Sequence, residues 1–244
     1  MSGRSYGLPS RAYGPPSNAQ VDRAGDTLRA AARADVAAGW QADVDEAVTV
    51  IERWRAGFRG PLQHVLGELG ALVAAEAPGS EDDVSARPKR LPSIARKLLR
   101  ITTRLSQMED IGGCRAKLPD AVRVQAVLAS IIARWADTRV DDYTAKPQPT
   151  GYRAVHVVVI EGRRRIEIQL RTPGQNRWAD EVERWSDRLG YDLKNGEGPA
   201  ELVEYFRKAA ERIAIEAGGE RVDETFEQAF EGLRERVRPY FRRA

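Results

Sequence analysis

Two stretches of strand length, "RAVHVVVI" (153–160) and the alternating "RRIEIQLR" (164–171), are separated only by "EGR". That spacing predicts an antiparallel β-hairpin, which needs a sheet around it. In the second stretch, alternation sends Ile166, Ile168 and Leu170 to one face. The same rule sends Arg165, Glu167, Gln169 and Arg171 to the other. The apolar face reads as core. The charged face holds one carboxylate among cations, and core packing gives no reason for it.

The rest of the chain alternates helical and strand patterns. Val44, Val48, Ile51, Trp54 and Phe58 recur at helical spacing, as do Leu62, Val65, Leu66, Leu69 and Val73. A helix is expected from about Pro92 to Leu105, a strand at "GGCRAKL", and a helix carrying Val124, Val127, Leu128, Ile131, Ile132 and Trp135. "AKPQPTGY" reads as a loop. Beyond the hairpin, Trp178, Val182, Trp185 and Leu189 form one helical stripe, and Phe226, Phe230, Leu233, Val237 and Phe241 another. The fold class is α/β (α+β), with a small mixed sheet flanked by helices. The expected division is a flexible Gly-, Ser- and Pro-rich tail (1–20), a helical region (21–80), a core (81–195) and C-terminal helices (196–244).

Composition narrows the chemistry. There is one cysteine, Cys114, so no internal disulfide forms and a cytoplasmic setting is the default expectation. Two histidines, His64 and His156, with that one cysteine do not suit a zinc site. No P-loop pattern, membrane-length apolar run or apolar signal-peptide core is present. The net charge of +3 is too small for a strong global field, so local clustering of basic residues matters more.

The densest cluster is "ARPKRLPSIARKLLRITTRL" (86–105). Seven Lys or Arg lie between Arg87 and Arg104, with no acid. Ser93, Lys97, Arg100 and Arg104 share one face, and Ile94, Leu98, Ile101 and Leu105 another. A solvated amphipathic helix would show this pattern, but its like charges repel unless an anion relieves them. Ser93 in the first turn adds a hydroxyl beside free backbone N–H groups, and arginines can stack on a base. The segment fits a polyphosphate or nucleotide.

"MEDIGGCRAKL" (108–118) follows, with Asp110 before a Gly-Gly turn and Arg115 and Lys117 on one strand face. If Asp110 and Glu167 converge, they suit Mg²⁺, which takes one or two protein carboxylates plus phosphate oxygens. Two separate salt bridges are the other reading. Tyr152, after Gly151 at a strand mouth, is an exposed aromatic that can stack on a base, or else is simply packed.

Together these segments resemble the synthetase domain of the RelA/SpoT homologues, in its short form, over roughly residues 85–190. "RPKRLPSIARKL", "EDIGGCRAKL", "DYTAKPQPTGYRAVH", "EIQLRT" and "QNRWADEVE" carry the resemblance, in the family's order. It implies a nucleotidyltransferase-like fold and transfer of the β,γ-pyrophosphate of ATP to a ribose 3′-hydroxyl. It places Arg87, Lys89, Ser93 and Lys97 at ATP, with Arg115 opposite Arg87 across the adenine. Asp110 and Glu167 become Mg²⁺ ligands, and Glu167 also activates the hydroxyl. Tyr152 stacks on the acceptor base, and His156 lies in the same motif.

The resemblance also shows departures. Alarmone-making members usually have Pro-Lys-Pro in the acceptor loop, where this chain has Pro147-Gln148-Pro149. Arg184 and Ala154 stand where histidine and serine are common. Loss of a charge-assisted contact weakens a free nucleotide as acceptor, unless Lys146 replaces it. "DIGGCRA" and "QNRWADEVE" look more like the toxic synthetases of toxin–antitoxin pairs, some of which modify the 3′ end of deacylated tRNA. The expectation leans slightly to tRNA, with "RRR" (163–165) and "RVRPYFRRA" offering a basic surface. A guanine or adenine nucleotide acceptor is the alternative, and a catalytically silent RNA-binding module the third. Two histidines cannot build the family's hydrolase site. The terminal helices are open to tRNA, an antitoxin or self-assembly.

Overall fold

The computed structural model describes residues 14–33, 41–80 and 83–243. Most of the proposed tail, residues 1–13, lies outside the described residues. Its end does not: α1 (Asn18–Arg33) already includes residues 18–20. Ser17 starts this helix, because its hydroxyl accepts from the Gln20 N–H.

Two compact units are present, one from Met1–Gly60 and Pro88–Ile111, the other from Pro61–Arg87 and Gly112–Ala244. In the first, α1 packs on α2 (Gln41–Ala56) and on α4 (Leu91–Arg100). Val21 and Leu28, Ile51 and Trp54, and Ile94 and Leu98 are the buried positions, at the spacing an amphipathic helix requires. Gly25 permits close approach, since a Cβ there would lie 2.7 Å from the Leu105 Cβ. Arg29 on α1 donates to the Leu98 and Thr103 carbonyls, at 2.9 and 3.1 Å.

Helix α4 is shorter than the sequence suggested. It ends at Arg100, and Ile101 is already extended (φ −110°, ψ 150°). Two β-branched threonines follow, which lose χ1 freedom in a helix. Arg104 therefore stands outside α4, before a 3₁₀ turn at Leu105–Gln107, and not on a helical face with Lys97 and Arg100.

The second unit holds a five-stranded sheet, in the order β1-β2-β5-β4-β3. The strands are β1 (Val84–Pro88), β2 (Gly112–Lys117), β3 (Arg139–Asp142), β4 (Val155–Glu161) and β5 (Arg164–Arg171). The expected hairpin is β4–β5, antiparallel, closed by Gly162 at φ +59°. β2 runs parallel to β5, so the sheet is mixed. Two edge strands, β1 and β3, were not anticipated. β1 carries Arg87 on a strand, where the sequence reading had placed it only ahead of a helix.

Register sets the two faces of the sheet. Val155, Val157 and Val159 pair with Leu170, Ile168 and Ile166, and all six are fully buried. Cys114 and Ala116 continue this apolar face across β2. The opposite face carries Gly113 and Arg115 on β2, Glu167 and Gln169 on β5, and His156 on β4. α5 (Ala121–Arg134) and α6 (Pro173–Leu189) both contact β5. α3 (Arg59–Glu76), from Pro61 onward, is tied to α5 by Ser130 to Glu76 and by Arg134 to Glu68. α7 (Ala200–Ala217) and α8 (Glu224–Arg243) pack with α6 around Tyr152, Trp178, Val182, Phe206 and Val237. No helix among the described residues is long and apolar enough to cross a membrane.

Candidate active site

Glu167 is the centre of the polar sheet face. Its Oε1 accepts from His156 Nδ1 at 2.9 Å, and its Oε2 accepts from Gln169 Nε2 at 2.6 Å. Burial alone would push this carboxyl up. The His156 hydrogen bond and charge, the Gln169 bond and the Lys194 charge outweigh it and hold the carboxyl at about 2. Glu167 is therefore ionised at neutral pH.

A buried cation stands behind this arrangement. Arg171, 2% exposed, donates through Nη2 to Gln169 Oε1 and to Tyr152 Oη, both at 2.8 Å. Tyr152 Oη lies 2.6 Å from His156 Nε2. Which atom of that pair donates follows the imidazole's tautomer. Arg171 thus reaches Glu167 along two chains, one through Gln169 and one through Tyr152 and His156. Pro173 at the first turn of α6 and the Thr172–Gln175 capping box end β5 directly after Arg171.

One expectation is corrected here. Tyr152 is not an exposed aromatic: it is fully buried, between Trp178, Tyr143 and His156. Burial raises its hydroxyl pKa, against the opposing Arg171 charge. Arg171 is buried as well, with its Nη2 bonded to Tyr152 and Gln169.

Arg115 shares the polar face. Its Nη1 donates to Asn176 Oδ1 at 3.2 Å and approaches Asp180 Oδ1 at 3.4 Å, both on α6. Burial and the neighbouring Arg171 lower its pKa, Asp180 opposes them, and the Arg87 charge lowers it further. Arg87 itself is exposed on β1. Gly113, in the same row as Glu167, leaves the floor open. A Cβ there would meet only the Arg87 and Glu167 carbonyl oxygens, at 3.8 and 4.0 Å.

The first unit holds its own cluster. Asp110 Oδ2 accepts from Lys89 Nζ at 3.0 Å and from Lys97 Nζ at 2.7 Å. Ser93 lies in the first turn of α4, whose N-cap residue, Arg90, makes no side-chain capping bond. This gathers Lys89, Ser93, Lys97 and Asp110 around the start of α4. Among the described residues no group of three or more His, Cys, Asp or Glu is placed to hold a metal by protein ligands alone. Asp110 and Glu167 each offer hard carboxylate oxygens, the donor type that a magnesium ion takes together with phosphate oxygens.

Sequence reasoning missed Gln169, Arg171 and Lys194 as site residues. The first two were legible as members of the charged face. Lys194 gave no signal: it sits in a turn after α6, and only folding brings it to Tyr152.

Residues 86–186 match the family model described as a region found in RelA/SpoT proteins. The GTP pyrophosphokinase of Escherichia coli (strain K12) is 28% identical over 178 residues, covering 70% of this chain and 24% of that protein. The GTP pyrophosphokinase YjbM of Bacillus subtilis (strain 168) is 35% identical over 109 residues, covering 39% of this chain and 52% of that one. The chain thus spans about a quarter of the length of the first relative and about half of the second. Among solved structures, the small alarmone synthetase 1 from Bacillus subtilis bound to its product pppGpp aligns with a TM-score of 0.56 at 24% identity, covering 69% of this chain and 94% of that one. A GTP pyrophosphokinase family protein from Streptococcus pneumoniae aligns at 0.51 and 22% identity, covering 73% and 95%. Residues 86–186 are thus similar to the region found in RelA/SpoT proteins, and the fold is that of the small alarmone synthetases.

Proposed function

We propose that this chain transfers the β,γ-pyrophosphate of ATP to the 3′-hydroxyl of a nucleotide ribose. One observation carries the reading: an ionised carboxylate, Glu167, fixed by His156 and Gln169 on the polar sheet face of a RelA/SpoT region. The names of the relatives, GTP pyrophosphokinase, point to the same reaction.

In the transfer, the acceptor oxygen bonds to the β-phosphorus, the α,β-bridging bond breaks, and AMP leaves with the bridging oxygen. Such chemistry depends on positioning and charge neutralisation more than on covalent catalysis. Lys89 and Lys97, with Ser93 and the α4 N-terminus, are the proposed phosphate ligands. Arg87 and Arg115 are the proposed adenine contacts. Phosphate would draw both lysines from Asp110 Oδ2 and leave that oxygen to a metal. Asp110 and Glu167 are the proposed magnesium ligands; the ion would neutralise charge on the transferred group. A carboxyl held at about 2 suits that role. It is a weak base for the hydroxyl proton, because proton transfer works best when the catalytic pKa is near the working pH. His156 holds Glu167 in place and ionised.

For the acceptor, the relatives' names favour a guanine nucleotide. Gln148 favours a second reading, the 3′ end of deacylated tRNA and with it a toxin. Its backbone N–H bonds the Tyr152 carbonyl at 3.2 Å and its carbonyl accepts from Gly151 at 2.8 Å, so the loop is ordered around an uncharged side chain. The test is ATP labelled in its terminal phosphates, with Mg²⁺ and GDP, GTP, ATP or deacylated tRNA. Label on GDP or GTP supports the first reading and label on tRNA the second. Label on no acceptor overturns the reaction.

A further inference from the structure

We propose that Lys194 is the cation that reads the 5′-phosphates of a guanine nucleotide acceptor. The inference rests on the pyrophosphotransferase reading and names a specificity-determining residue for it.

The turn that carries Lys194 is built rather than loose. α6 ends at Gly190, in the left-handed region (φ +74°). Leu193 is buried beside Tyr152 and Trp178, and its N–H donates to Ser186 Oγ at 3.2 Å. Gly196 closes the turn at φ +82°, where any larger residue is strained. Thr150 Oγ1 donates to the Lys194 carbonyl at 3.2 Å. That bond ties the turn to the loop holding Pro147, Gln148 and Pro149. The position of Lys194 is therefore fixed relative to the loop that lacks a lysine.

The ammonium lies over the polar side of the unit's aromatic cluster. Its Nζ lies 4.8 Å from the centroid of the Tyr152 ring. Its charge also reaches Glu167. It thus stands beside the ring that the resemblance places at the acceptor base, and within electrostatic range of Glu167, proposed to hold the magnesium ion. A nucleoside polyphosphate in that space would bring several negative charges to one ammonium. The cation–π contact is worth about 0.5–2 kcal/mol, and charge-assisted hydrogen bonds to phosphate are among the strong ones. Tyr152 is fully buried with Lys194 over its ring, so a base reaches the ring only when the lysine leaves it. Moving to the phosphates would do both things at once. Lys146 is less suited: it is exposed, and its backbone N–H is committed to Asp142.

Equilibrium dialysis of GDP and of guanosine against the full chain, Lys194→Ala and Lys194→Arg tests this. Lys194→Ala should weaken GDP about tenfold or more, the scale of one lost charge-assisted contact. It should change guanosine less than about twofold, and Lys194→Arg should recover most GDP binding. Equal weakening of GDP and guanosine would mean that Lys194 only supports Tyr152 and Glu167, and would overturn the inference. So would unchanged GDP binding in Lys194→Ala, or no GDP binding by the unaltered chain. Labelled transfer, run in parallel, judges the reaction separately. GDP binding that depends on Lys194 without any transfer leaves the phosphate site standing and removes the reaction. Label on tRNA alone overturns the assignment to a free nucleotide.

Discussion

His156 Nδ1 donates to Glu167 Oε1 at 2.9 Å, and this bond fixes both residues. Against burial, which pushes the carboxyl up, this bond helps hold it far below its ordinary range. His156 sits on β4 and Glu167 on β5, two residues apart in register, since His156 pairs with Gln169 and Val158 with Glu167. The bond is diagonal across the sheet, a reach that long side chains manage.

Glu167→Gln keeps the size of the side chain and removes the charge. Pyrophosphate transfer should fall by about 10²-fold or more, the scale of losing a group that acts in the transition state. The circular dichroism spectrum should stay unchanged. Full activity in this variant would remove Glu167 from the reaction.

The same variant should flatten the acid limb of stability. Glu167 has a folded pKa of about 2 against an ordinary 4.5, so its contribution is fully present above about pH 4.5. It is lost as pH falls toward 2. The difference corresponds to an order of 3 kcal/mol. Urea midpoints measured between pH 5 and 2.5 should fall less steeply in Glu167→Gln than in the unaltered chain.

Tyr152→Phe removes a hydroxyl that accepts from Arg171 and is bonded to His156 Nε2. The buried Arg171 then keeps Gln169 as its partner on Nη2, and His156 Nε2 loses its bond to the hydroxyl. The expected cost is about 1–3 kcal/mol, read as a lower thermal midpoint. A midpoint equal to that of the unaltered chain would contradict the two-armed network.

Gly151 sits at φ +89°, and a Cβ there would lie 2.8 Å from the Ala210 Cβ and 3.2 Å from the Arg207 carbonyl. Gly151→Ala should destabilise by about 1–3 kcal/mol, from backbone strain and the clash with α7 together. Denaturant titration checks this. Gly162→Ala, in the open hairpin turn, isolates the backbone part, because nothing lies within 4 Å of its Cβ.

Cys114 is buried on the apolar sheet face, and burial pushes its thiol up to about 12. The thiolate is the reactive form, so the folded chain should resist a thiol reagent at pH 8 and react once denatured. Rapid labelling of the native chain would contradict its placement between Ile168 and the core.

Much of this was written in the local pattern. The alternation of residues 164–171 assigned Ile166, Ile168 and Leu170 to the core and Glu167, Gln169 and Arg171 to the other face, as the sheet shows. The order of motifs carried the resemblance to RelA/SpoT synthetases, which the match over residues 86–186 supports. Helix ends and edge strands were harder. β1 and β3 are short and form by pairing with neighbours distant in sequence, so their own residues signal little. The length of α4 turns on Thr102 and Thr103, whose weak helix preference ends it although the apolar spacing continues to Leu105.

The sequence by itself determined which residues share a face, because side-chain direction follows from a fixed period along the chain. It determined the chemistry on offer: basic residues before and within α4, Asp110, Glu167, and an acceptor loop with Gln148. Only the tertiary structure decided which of those groups are partners. It buried Tyr152 and Arg171, joined them to Glu167 through His156 and Gln169, and brought Lys194 over the tyrosine ring. Such contacts depend on strand register and on the packing of α6 and α7, which no local stretch of sequence encodes alone.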